Sequence, residues 1–179
     1  PNYSVPAGNR PLDSDEVADI KANYAQRRHM SWRSGGGSPH VAHPKLTMEA
    51  TPDERRAAFE KRWELGGVLF SKTFSDQMIS SEANDEARKF YEEKIRAVID
   101  DPDVAELLIP TDHPIGTKRI CTDTNYFQTF NRPNVTLVSV RATPIQSIDH
   151  TDISTSEKHY DIDALMLATG FDALTGTLA

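Results

Sequence analysis

The chain has 179 residues, a formal charge of −7 and 20 Lys+Arg against 27 Asp+Glu. That is enough chain for one sizeable core, and it excludes a general nucleic-acid binder, because neutralising phosphates needs a net basic face. At 37% hydrophobic residues and a mean hydropathy of −0.55, no apolar run approaches the roughly 20 residues of a membrane helix. The single cysteine, Cys121, excludes an internal disulfide and a multi-cysteine metal site and fits a reducing compartment, so the expected setting is cytoplasmic. The N-terminus Pro-Asn-Tyr-Ser carries neither an initiator Met nor a signal pattern, and the chain reads as a piece of something longer.

Residues 1–12 hold three prolines and a glycine, which predicts an extended leader with little regular structure. From Asp13 the pattern turns helical. Ser14 is placed to cap, Asp15 and Glu16 occupy the first turn, and Val17, Ile20 and Tyr24 recur at helical steps, so one helix is expected to about Trp32. Its Arg27-Arg28-His29 run reads as an exposed face. Ser34-Gly-Gly-Gly-Ser-Pro39 follows as a flexible connection, because a phosphate-cradling glycine loop sits between a strand and a helix. His40 and His43 lack the four-residue spacing and third ligand of a zinc site, and no metal is expected.

Thr51-Pro-Asp-Glu54 is a capping-box start for a helix burying Ala57, Ala58, Phe59 and Trp63 and stopped by Gly66-Gly67. The bulky residues Val68, Leu69, Phe70 and Phe74 then lie on a short irregular segment, where they serve either as satellite core or as the wall of an apolar pocket. A further helix starts near Asn84 and presents Ala87, Phe90, Tyr91, Ile95, Val98 and Ile99 to one side. A short one opens at Asp101-Pro102 and ends in Leu107-Leu108-Ile109. Residues 13–109 are therefore an all-helical block. After it the period changes: Val135–Val140, Pro144–Ile148 and Asp161–Ala168 read as strands. Helices followed by strands make an α/β chain.

The loop between these regions carries Gly116 and the adjacent cations Lys118 and Arg119. Arg offers a planar fork and Lys a mobile point charge, so the pair suits two different anionic partners, although spacing alone is equally met by solvated surface charge.

Gly116-Thr-Lys-Arg119, Asn125-Tyr-Phe, Phe130-Asn-Arg-Pro-Asn-Val135 and Ala168-Thr-Gly-Phe-Asp-Ala-Leu-Thr-Gly176 together resemble the middle of flavin-dependent Baeyer–Villiger monooxygenases. The resemblance spans essentially the whole chain. Asn2-Tyr-Ser-Val-Pro-Ala-Gly-Asn, Ser34-Gly-Gly-Gly-Ser-Pro-His and Leu65-Gly-Gly-Val-Leu-Phe-Ser-Lys are most similar to the steroid, large-ring and polycyclic ketone subgroup. It implies FAD and NADPH as cofactors, and an oxygen from O₂ inserted beside a ketone carbonyl by way of a peroxyflavin. Arg119 would stabilise that anion and the developing oxyanion, and Lys118 would meet the 2′-phosphate of NADPH. By the same resemblance, 1–12 is a leader from the NADPH domain and 13–109 its helical insertion. The returning part of this Rossmann-like, dinucleotide-binding domain is 110–170, and 171–179 starts the linker to the FAD domain. Neither G-x-G-x-x-G fingerprint is present, so the chain by itself is expected to lack the FAD site and to depend on the remainder of a parent flavoprotein. Two other readings remain: a cofactor-free helical interaction module, and a related flavoprotein that oxygenates nitrogen or sulfur.

Overall fold

The leader residues Tyr3, Ser4 and Val5 are buried, with Tyr3 packed against Tyr91 and the Ser4 N–H donating to the Tyr91 hydroxyl. This computed structural model describes residues 1–34 and 37–170. The chain divides into two units, Pro1–Thr136 and Leu137–Ala179.

In the first unit, β1 (Ser4–Pro6) pairs in parallel with β2 (Cys121–Asp123), with Ser4 opposite Cys121. The expectation of an irregular leader is therefore corrected. Proline at position 6 ends the strand rather than preventing it, and the apolar Tyr3 and Val5 are each 1% exposed. The first helical stretch is two helices, α1 (Ser14–Ala22) and α2 (Tyr24–Arg33), and the cap of α1 is Asp13, not Ser14. Asp13 accepts from the Glu16 backbone while Glu16 reaches back to the Asp13 N–H, a reciprocal box that the spacing Asp-x-x-Glu satisfies and a Ser14 cap does not. The break falls at Asn23, whose side chain donates to the Asp19 carbonyl, competing with the helix ladder. Within the glycine run, Gly35 and Gly36 lie outside the described residues.

Helix α3 (Pro52–Leu65) starts as its sequence dictates, with Thr51 and Glu54 forming the box, and ends at Gly66. It buries less than expected: Phe59 is its buried residue, Trp63 and Ala58 are half-buried and Ala57 is exposed. Gly8 and Gly66 explain why two backbones cross there, since a Cβ on Gly66 would lie 2.6 Å from the Gly8 Cα. A 3-10 turn over Val68–Lys72 follows. Helix α4 (Ser81–Val98), capped by Ser80, begins three residues before the expected start and buries Ala83, Asn84, Ala87, Phe90, Tyr91 and Ile95 along one face. Helix α5 (Pro102–Leu108) is capped by Asp101, which accepts from the Asp103 and Val104 N–H groups.

The core of this unit is aromatic. Phe70 packs its ring against Phe59, Trp63 and Phe90 at centroid distances of 5.8, 5.6 and 5.8 Å. Phe74 meets Phe59 at 5.4 Å, and Tyr3 meets Tyr91 edge-on at 4.9 Å.

In the second unit, β3 (Ile145–Ile148), β4 (Asp152–Thr155) and β5 (His159–Asp161) form an antiparallel meander. A register irregularity between Ile145 and Ser147 bends the first pair. Two expected strands are absent among the described residues: Val135–Val140 carries no strand, and after Asp161 the run to Ala168 is irregular. A strand exists only by pairing, and these apolar runs have no strand beside them here; Met166 and Leu167 are 91% and 75% exposed.

Candidate active site

The loop from Asp112 to Ile120 links α5 to β2. It leaves the core at Ile109 and Pro110, both buried, and turns at Gly116. Gly116 has φ +91°, a conformation that favours glycine, and a Cβ there would sit 2.3 Å from the end of the Met78 side chain, which would have to swing aside. Just before it, Ile115 is held by Asn84 of α4. The Asn84 side chain donates to the Ile115 carbonyl and accepts from its N–H, each at 3.0 Å, and also donates to the Gln77 carbonyl at 3.0 Å. With Asn84 7% and Ile115 1% exposed, this is a buried polar clamp with its amide satisfied on both sides.

Lys118 and Arg119 are exposed, and among the described residues neither forms a salt bridge. They are presented to solvent from a braced loop, a donor set open to an anion such as a phosphate. The Asp112 carboxyl nearby is held below the usual carboxylate range, first by its hydrogen bond with His113 and also by the field of Lys118. The His113 ring lies against Tyr3, edge-on at 5.4 Å, and the Tyr3 hydroxyl donates to the His113 carbonyl at 3.1 Å. An open cleft of about 630 Å³ runs beside the loop, lined by Met78, Asn84, Arg88, Asp112, His113 and Thr117 among others.

Phe70 and Phe74 do not stand with these residues. Each is 1% exposed, and their rings are packed among Phe59, Trp63 and Phe90. In this chain Phe70 and Phe74 pack in the aromatic core, the first of the two alternatives: the 3-10 turn points Phe70 inward, and Val68, 53% exposed, outward, while Phe74 also edges a smaller cleft of about 350 Å³ beside His40, Lys72 and Met78. His40 and His43 are likewise accounted for by protein groups. His40 accepts from Arg62 at 2.8 Å through Nδ1 and donates through Nε2 to the Lys72 carbonyl at 2.6 Å, and burial lowers its pKa. Among the described residues no cluster of three or more His, Cys, Asp or Glu could hold a metal. No described helix is long and apolar enough to cross a membrane.

Pattern reading passed over Asn2, Tyr3 and Asn84, although all three brace the loop. A polar residue on the buried face of an amphipathic helix is a signal for Asn84, since position 84 falls in step with Ala87, Tyr91 and Ile95. No comparable pattern marks Asn2.

No protein-family model matches the chain. Nearly all of it aligns with curated monooxygenases. It is 36% identical over 179 residues to the 2-oxo-Δ3-4,5,5-trimethylcyclopentenylacetyl-CoA monooxygenase of Pseudomonas putida, covering 99% of this chain and 33% of that protein. It is 37% identical to the cyclohexanone 1,2-monooxygenase of an Acinetobacter species, covering 97% of this chain and 32% of that protein. A solved structure of oxidized steroid monooxygenase bound to NADP matches at 61% identity with a TM-score of 0.91, over 96% of this chain and 33% of that one. The chain is a homologue of the Baeyer–Villiger monooxygenases. It spans about a third of the length of these relatives. The α/β class read from the sequence stands, as helices and strands that match part of a flavoprotein. OTEMO, solved in complex with FAD and NADP, matches at 36% identity with a TM-score of 0.88 over 97% of this chain.

Proposed function

We propose that the chain is the NADPH-domain portion of a Baeyer–Villiger monooxygenase, with residues 13–109 its helical insertion and 110–170 the part returning to the dinucleotide-binding sheet. The carrying observation is the 61% identity to a steroid monooxygenase bound to NADP across 96% of this chain. The overall reaction takes a ketone, O₂, NADPH and a proton to an ester or lactone, water and NADP⁺. Within the parent protein, bound FAD supplies the oxygen-activating chemistry. The chain lacks a G-x-G-x-x-G fingerprint, so the flavin belongs to the remainder of that protein. Residues 1–12 lead in from the NADPH domain, and 171–179, outside the described residues, open the linker to the FAD domain. The unpaired apolar runs 135–140 and 162–168 are sheet strands whose neighbours lie in the rest of the parent, where both of their faces are covered.

Lys118 holds the 2′-phosphate of NADPH, a point charge on a mobile stem that reaches solvent. Arg119 is the catalytic cation. Placed beside the reacting carbonyl, a guanidinium offsets the negative charge that appears on oxygen as the tetrahedral centre forms. Lysine in a water-excluded pocket loses its proton more readily and lacks the planar fork. The 61% match favours bulky, cyclic or steroid-like ketones. Matches throughout to monooxygenases disfavour the cofactor-free interaction module. A relative named phenazine N-monooxygenase, from Lysobacter antibioticus and 35% identical, makes an amine the necessary control. Full-length enzyme should therefore turn a polycyclic ketone into its lactone faster than it turns over acetone, a sulfide or an aromatic amine. Arg119→Ala should abolish ester formation while NADPH oxidation continues. Coupled turnover at the wild-type rate in that variant removes Arg119 from the mechanism.

A further inference from the structure

The β1–β2 ladder ends on one side at the bond from the Cys121 N–H to the Tyr3 carbonyl, 3.0 Å long. Arg119 lies beyond that last rung. A side chain continues the ladder instead: the Asn2 Nδ2 donates to the Arg119 carbonyl at 2.7 Å, with the Cys121 sulfur 3.6 Å away. The other end of the same carboxamide accepts. Its Oδ1 takes the Tyr3 N–H at 2.9 Å and faces the His113 Nε2 at 3.2 Å. Reversing the amide would set oxygen against the Arg119 carbonyl and NH₂ against the Tyr3 N–H, so its neighbours fix its orientation. The His113 ring that abuts it is itself held, with Nδ1 2.5 Å from the Asp112 carboxylate and a side chain only 6% exposed.

The loop is thus pinned twice, at Ile115 by Asn84 and at Arg119 by Asn2. The first pin is buried and local to the turn. The second acts on the backbone of the residue whose side chain must be aimed.

We propose that Asn2 is the positioning residue for Arg119, fixing the backbone from which the guanidinium is projected, with His113 and Asp112 holding the carboxamide in place. This rests on Arg119 being the catalytic cation. A cation that stabilises a developing charge works only if it is held near the productive geometry before the charge appears, because an error of about 1 Å is enough to cost two orders of magnitude. An untethered Arg119 would still be charged and close by. It would miss the reacting oxygen, while hydride consumption, which needs no such stabilisation, would continue.

Asn2→Asp in the full-length flavoprotein is the discriminating variant. It keeps acceptors for the Tyr3 N–H and for His113, but replaces the donor to Arg119 with an oxygen that repels the carbonyl. Ester formed per NADPH consumed should fall at least about fivefold, the scale of one lost hydrogen bond. NADPH oxidation should stay within about twofold on the same scale. Hydrogen exchange of the 116–122 backbone, measured without ketone, should speed up in the same variant. The product ratio is independent of how much enzyme is folded, so a lowered yield of active protein does not mimic the effect. An unchanged ratio in Asn2→Asp alongside an uncoupled Arg119→Ala overturns the positioning role and leaves the Arg119 assignment standing. An unchanged ratio in Arg119→Ala overturns both. Equal losses of ester and NADPH oxidation would make Asn2 a structural residue only. Should the Asn2 variants fail to fold, His113→Ala removes the support behind the carboxamide. It should shift the ratio and the exchange in the same direction, and no shift in either overturns the proposal.

Discussion

Phe70→Ala separates a core residue from a substrate-facing one, because the two roles predict opposite pairs of measurements. The Phe70 ring is 1% exposed and sits 5.6–5.8 Å from the ring centres of Phe59, Trp63 and Phe90. Truncation removes the ring and leaves a void edged by three aromatic side chains belonging to α3 and α4. Each is anchored in its own helix, so the void cannot close without moving a helix. A buried Phe→Ala change costs about 3–5 kcal/mol, with the upper part applying where the site collapses poorly, and about 4 kcal/mol is expected here on that basis. The backbone adds nothing to this figure: the Phe70 carbonyl accepts from the Thr73 hydroxyl at 2.8 Å and the Thr73 N–H at 3.2 Å regardless of side chain. The assay is urea denaturation of the full-length enzyme, monitored by hydrogen exchange of the α3 and α4 peptides and run beside a two-ketone rate comparison. The expected result is a large fall in stability with the bulky-to-small rate ratio unchanged. A loss under about 1 kcal/mol, well below the range for a buried ring, together with a shifted ratio, would refute the core assignment and return Phe70 to a pocket wall.

Lys118→Ala should raise the KM for NADPH by about 10- to 100-fold, the worth of one charge-assisted contact, and leave that for NADH nearly unchanged; equal effects on both cofactors count against the phosphate contact. Asn84→Ala strips the Ile115 N–H and carbonyl and the Gln77 carbonyl of their partner. It should cost about 2–4 kcal/mol, at about 1–3 kcal/mol for each buried group left unsatisfied and allowing for relaxation, read as faster exchange at residues 112–117; exchange at the wild-type rate would exclude the clamp. His40 carries a pKa lowered by burial from 6.5, so the unfolded chain takes up the proton first on acidification. Its stability contribution is complete above pH 6.5 and falls as pH drops below that value. The melting temperature should therefore decline less between pH 7 and pH 5.5 in His40→Asn than in wild type, and identical slopes would exclude His40 as the source.

The elements legible in the sequence were those whose signal is local. A capping box at Thr51–Glu54, glycine at the end of α3 and the Asp101-Pro102 start of α5 each settle a helix end within one turn, so neighbouring residues suffice to reveal them. What escaped was fixed by distant partners. Three prolines disguised the leader, because β1 exists only through β2, more than a hundred residues away in sequence. Asn84 passed as a helix start because asparagine favours caps, and its true role depends on a loop 31 residues further along. Phe70 and Phe74 stayed open between core and pocket wall for a related reason. Bulk on an irregular segment marks burial, and burial alone does not say whether the neighbours are protein side chains or a ligand.

The same distinction bears on Lys118 and Arg119. Their adjacency carried little information by itself, since exposed cations are common on this chain: Arg10, Lys45 and Arg56 are exposed as well, yet each is met by a carboxylate of its own surface. Lys118 and Arg119 differ in their backbone. The chain on either side of them is held by two buried or half-buried asparagines and a fully buried tyrosine, and ordering these groups costs conformational entropy that a merely solvated pair would not require. Charge presented on a loop braced from both sides is the arrangement expected when an anion must be met at a set position. If that is the reason for the bracing, loosening either brace should degrade the aim of Arg119 more than the grip of Lys118, whose long flexible stem tolerates a shifted backbone. Asn2→Asp should therefore change the ratio of ester to NADPH consumed while the KM for NADPH moves little. A KM for NADPH that rises while the ratio stays at the wild-type value would show that the loop is braced for cofactor binding alone.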